Sequence, residues 1–147
     1  MPDVTDLAAR RADRALAQHL QRIARLRPLA LAYVETALDR QRLGDADPLS
    51  DHYAIEDLTP SAIEVLERVV STFVAALGER RLQSLCRDQE TEEELGRALW
   101  LAHCGLGFDY MRWGMASVLL QRATEATPMM VLMEGSDCVI RAVEVTL

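Results

Sequence analysis

The chain has 147 residues, half of them hydrophobic, and a net charge of −7 from 16 arginines against 23 acids, with no lysine. This length makes one domain that buries about two-thirds of its unfolded surface. No apolar run approaches the ~20 residues of a membrane span, and the mixed acids and arginines of the first residues lack the order of a secretory signal. A field this negative also disfavours general binding to a nucleic-acid backbone, so the expectation is a cytoplasmic bacterial protein with no direct membrane or nucleic-acid contact.

Charge is unevenly spread. Residues 1–42 hold eight arginines and five acids, residues 43–95 four and thirteen, and residues 96–147 four and five. Asymmetry of this kind marks distinct binding faces.

In chain order, residues 5–27 read as an amphipathic helix that Thr5 or Asp6 can cap. At 100° per residue Leu16, Leu20, Ile23 and Leu26 share a sector flanked by Ala9, Ala12 and Ala15, with Arg10, Arg11, Arg14, Arg22 and Arg25 opposite. Pro28 interrupts the pattern because it has no N–H to donate. These residues, 1–28, read as an Arg-rich extension to a helical domain over 29–147. A second helix follows over 29–42, ended by Gly44. Residues 43–58 read as an acidic loop with a turn at Asp47-Pro48.

Thr59-Pro60 starts the clearest helix, with Thr59 as cap and Pro60 where a missing N–H costs nothing. Ile63, Leu66, Val69, Val70, Phe73, Val74 and Leu77 form its apolar face, and Glu64, Glu67, Arg68 and Ser71 its polar one. Gly78 marks an end or a kink before residues 79–86. Thr91 and Glu94 form a capping box for a helix over about 92–103. Gly105 and Gly107 then permit a turn at positive φ. A further helix is expected over about 110–126, stopped by Pro128, and then a β-hairpin around residues 134–137. The predicted fold is α+β: a mainly helical single domain with about five helices and a C-terminal hairpin.

The aromatics of this aromatic-poor chain concentrate where the glycines do. Trp100, Gly105, Gly107, Tyr110 and Trp113 occupy one short run, while only 5% of the chain is aromatic. The run resembles a signature of small uncharacterised phage and prophage proteins, roughly G-x-D-F-W-L-x-R-x-G-x-G-x-G-F-W-D-R-G. Gly96, Trp100, Leu101, Gly105, Gly107 and Gly114 match it, with Tyr110 as an aromatic. Residues 33–38 (YVETAL) and 53–60 (YAIEDLTP) are similar to two further phrases of that family, so the resemblance spans about residues 30–141. His103 and Cys104 replace the family's Arg-Asn, Leu106 a common His, and Met111-Arg112-Trp113 its Trp-Asp-Arg, so chemistry by polar groups there is not carried over. The resemblance implies a phage or mobile-element accessory protein that works by protein binding, in its most concrete form an anti-CRISPR-like inhibitor of a host defence complex that handles nucleic acid.

Candidate sites follow from charge and from the aromatic run. The first-choice partner face is acidic: Asp88, Glu90, Glu92, Glu93 and Glu94, joined by Asp45, Asp47, Asp51, Glu56 and Asp57. Such a surface attracts an arginine- or lysine-lined groove. The second choice is the aromatic segment Trp100, Tyr110 and Trp113, since Trp and Tyr dominate binding hot spots; the competing reading packs both tryptophans across the Gly-x-Gly turn. The glycines follow a helix and lack a G-K-[ST], so they are not a phosphate loop.

Catalysis has no clear signature. His103 and Cys104 point about 100° apart on a helix and cannot act on each other. Cys86, His103, Cys104 and Cys138 lack the close spacing of a structural zinc site. The cysteines read as reduced, partly buried apolar residues, and His19 and His52 as surface or interface residues. A non-enzymatic protein without metal or cofactor is expected. The alternatives are a structural or regulatory homodimer joined through the apolar face of the first helix, and a small enzyme or metalloprotein.

Overall fold

The computed structural model describes residues 3–42 and 47–146. Gly44 and Asp45, invoked above as a helix stop and an acidic-face residue, lie outside them. Among the described residues the architecture is α+β: seven α-helices followed by a two-stranded antiparallel hairpin. In order these are α1 Val4–Ala24, α2 Pro28–Arg40, α3 Pro60–Leu77, α4 Glu79–Leu85, α5 Gln89–His103, α6 Tyr110–Trp113, α7 Ala116–Glu125, β1 Met129–Glu134 and β2 Ile140–Val145. Two short 3-10 turns, Leu49–Asp51 and Ile55–Asp57, occupy the segment read as an acidic loop. Among the described residues no helix is long and apolar enough to cross a membrane.

Helix α3 is central. All seven residues of its predicted apolar face are buried. Thr59 caps it by accepting from the Ala62 N–H at 3.1 Å, and Pro60 fills the first turn, as the sequence predicts. Gly78 at φ 97° ends α3 and starts α4, a conformation L side chains resist.

Helices α2 and α5 press against each other. A Cβ on Gly96 would fall 2.2 Å from the Leu29 carbonyl oxygen, so that position holds the two backbones together only because it lacks a side chain.

The hairpin packs on α3. Register pairs Met130 with Glu144, Leu132 with Ala142 and Glu134 with Ile140. Met130, Leu132 and Ile140 face the core, and the Thr59 N–H donates to the Ile140 carbonyl at 2.9 Å. A lone hairpin is marginal in water; this one is stitched to the start of α3.

Three local expectations are corrected. Asp3, not Thr5 or Asp6, caps α1, accepting from the Thr5 N–H at 3.3 Å. Asp88, not Thr91, caps α5; Thr91 lies inside the helix and gives both its N–H and its hydroxyl to Asp88, each at 2.7 Å. The helix expected over 110–126 is broken at Gly114, whose φ 58° and ψ −138° stop α6 after one turn. Helix α1 docks through its last two turns: Ile23 is buried and His19 half-buried, while Leu16 and Leu20 remain 57% and 42% exposed.

Candidate protein-binding surfaces

His103 is the most polar group of the core, and its bonds decide what it can do. Its Nε2 lies 3.1 Å from the Thr127 carbonyl oxygen and its Nδ1 2.9 Å from the Tyr33 hydroxyl. A carbonyl only accepts, so Nε2 carries the proton and Nδ1 accepts from Tyr33. The Tyr33 oxygen in turn accepts from the Met130 N–H at 3.2 Å. The chain from Met130 through Tyr33 and His103 to Thr127 therefore closes without an orphan. Burial holds the His103 pKa below its ordinary value and pushes that of Tyr33 up. This is a neutral structural network tying α2, α5 and β1 together, with both His103 ring nitrogens bonded within the fold.

The cysteines take no part in it. Cys86 is half-buried, and burial pushes its thiol up to about 11. Cys104 and Cys138 are exposed rather than packed. All three are free thiols. Among the described residues no cluster of His, Cys, Asp and Glu is arranged to hold a metal ion. His52 sits on the surface, 3.7 Å from Asp47. His19 is less exposed than expected: both ring nitrogens are covered, and neither has a partner among the described residues.

The acidic stretch is partly neutralised by the fold. Asp88 is the α5 cap, and the bonds from Thr91 hold its pKa down. Glu92 is only 18% exposed and accepts from Arg27 Nε at 2.6 Å. Glu94 grips the Arg112 guanidinium with both oxygens, one at 2.8 Å from Nε, which lowers its pKa. Asp57 accepts from the Ala54 N–H at 2.8 Å. Asp51, Glu56 and Glu90 remain exposed.

Two acids that sequence reasoning missed reshape this face. Burial pushes up the Glu35 pKa, and the charges of Glu93, Asp39 and Glu56 add to the rise. Glu35 on α2 thus lies within electrostatic reach of Asp39, Glu93 of α5 and Glu56, an acidic seam that Arg97 partly offsets. The four-residue spacing of Glu35 and Asp39 on a helix was the available signal.

The aromatic run divides. Trp100 and Trp113 are buried, at 5% and 8% exposure, so the structure removes them from any surface. The Trp100 indole N–H has no partner among the described residues, and Arg112 lies 4.5 Å over the Trp113 ring. Gly105 and Gly107 hold φ of 90° and 67°, as the turn requires. What the run does expose is apolar: Leu106, Tyr110, Met111, Met115, Val118 and Leu119 are 38–91% exposed at one corner of the fold. The Tyr110 hydroxyl reaches the Met115 sulfur at 3.6 Å. Of these only Tyr110 was a candidate site residue from the sequence; Leu106 and Met111 were named there only as departures from the phage-family signature.

The best-defined groove, about 540 Å³, lies between the end of α1 and α3, with Arg22, Arg25 and Arg27 at its rim over Leu26 and Val70. Arg22 is clamped on Glu67 at 2.7 and 3.0 Å, and Arg27 on Glu92. Arg22 thus ties α1 to α3 and Arg27 ties the start of α2 to α5, while Arg25 is exposed with no ion-pair partner among the described residues.

No known protein family, curated protein or solved structure matches the chain.

Proposed function

We propose that the protein acts by binding another protein, with the corner formed by Leu106, Tyr110, Met111 and Met115 as its docking surface. The observation that carries this is the exposure of those four side chains, 60–91%, on consecutive turns of one segment. Clustered exposed apolar area concentrates at interaction sites. Methionine adapts to irregular partners, and tyrosine is enriched among hot spots. The acidic seam of Glu35, Asp39, Glu56 and Glu93 steers a basic partner and suppresses wrong ones, which charge does better than it adds affinity.

The resemblance to phage and prophage proteins supports an accessory role, with a host defence complex that handles nucleic acid as the class of target and its inhibition as the outcome. A non-catalytic reading is supported by the closed bonding of His103.

A photo-crosslinking residue placed at Met111, and separately at Glu90, tests the docking surface in host lysate. The expected result is a discrete adduct from Met111 that Tyr110→Asp abolishes. An adduct from Glu90 alone would move the site to the acidic face, and none from either would reject the corner.

A further inference from the structure

Two apolar helix faces lie open on this chain. One is the stripe of α1, where Leu16 and Leu20 project from a helix whose residues 4–18 are all exposed. An unsupported helix of that length is marginal in water. The other is the outer face of α7, where Met115, just before its first turn, Leu119 and Arg122 follow the i, i+4, i+7 spacing of one helix face, with Val118 beside them. The inner face of α7 is separately buried through Leu120, Ala123 and Thr124.

We infer that these two faces are each other's partner, across two copies of the chain. The inference rests on the reading of the corner as a docking surface and names what covers its α7 side. Laid antiparallel, α7 of one copy places Met115 over Leu20, Leu119 over Leu16 and Arg122 over Asp13 of the other. The spacings match in order: 115, 119, 122 against 20, 16, 13. The charges match too. Neither Asp13 nor Arg122 has an ion-pair partner among the described residues, and both lie on the faces that meet. A two-fold dimer makes the contact twice, since residue i meeting j implies j meeting i. Pairing α1 with a second α1 instead brings the Asp13-bearing edges together, because antiparallel copies meet along the same edge.

The test is solution mass by light scattering and sedimentation between about 1 and 100 µM, with circular dichroism and thermal melts as controls for folding. The wild type is expected to exceed the 16.4 kDa of one chain and to gain mass with concentration. Leu16→Asp and Leu119→Asp should each return it to a monomer with its melting transition retained. Asp13→Arg and Arg122→Asp should each weaken association about tenfold or more, and the double exchange should restore most of it. A dimer sensitive to Leu16→Asp but not to Leu119→Asp would overturn the inference in favour of α1 pairing with itself. A wild type monomeric at 100 µM would overturn it outright; if that monomer still crosslinked a host protein from Met111, the proposed function would stand.

Discussion

Replacing Tyr33 by Phe removes one oxygen and strands two buried groups. The Met130 N–H loses its acceptor, and His103 Nδ1 loses its donor. Tyr33 is fully buried and the ring is retained, so no cavity term enters. Each stranded group costs roughly 1–3 kcal/mol. Some relaxation at the start of β1 lowers the sum to about 2–4 kcal/mol, a large part of the ~5–15 kcal/mol that holds a domain together. At about 2–4 °C per kcal/mol for a chain near this size, the melting temperature should fall by roughly 5–15 °C. Urea unfolding followed by circular dichroism should show a lower midpoint at unchanged slope. The double variant Tyr33→Phe/His103→Leu should cost clearly less than the two single variants added together, since the groups share a bond. A loss below about 0.5 kcal/mol, or full additivity, would show that the hydroxyl does not bridge Met130 and His103.

Acid should loosen the same network. The folded His103 pKa lies below its ordinary value because of burial, so this group's stabilisation is complete above the unfolded pKa of ~6.5 and is lost as pH falls through the folded value. Melts of the wild type should therefore drop more between pH 7.5 and pH 5 than melts of His103→Leu, and parallel drops would sink the assignment. Gly96→Ala should destabilise by more than about 2 kcal/mol through overpacking, although alanine gains ~1 kcal/mol in helix propensity. The new Cβ meets the Leu29 carbonyl oxygen, which is backbone and cannot swing aside; a melt at or above the wild-type temperature would disprove the close approach of α2 and α5.

Local rules made much of this fold legible. The apolar period of α3, its Thr59-Pro60 start, the positive φ of Gly105 and Gly107 and the C-terminal hairpin all follow from helix and strand periodicity and from the sterics of an L residue, which act over a few neighbours. Cap choice was harder to read, because Asp88 and Thr91 are both capping residue types near the same helix start and only the entering backbone decides which side chain accepts. Surfaces and sites were decided at longer range. Glu92 and Glu94 read as free acids until the start of α2 and α6 brought Arg27 and Arg112 against them. His103 read as a lone helix-end histidine until α2 placed a tyrosine hydroxyl 70 residues away in sequence at its ring. Trp100 and Trp113 went inside while Leu106, Met111 and Met115 stayed out, and α6 and α7 are separate helices broken at Gly114 where periodicity reads one. Periodicity tells which side chains share a face. Which faces meet, and so which charges are paired and which apolar groups stay in water, depends on how the helices pack together in three dimensions.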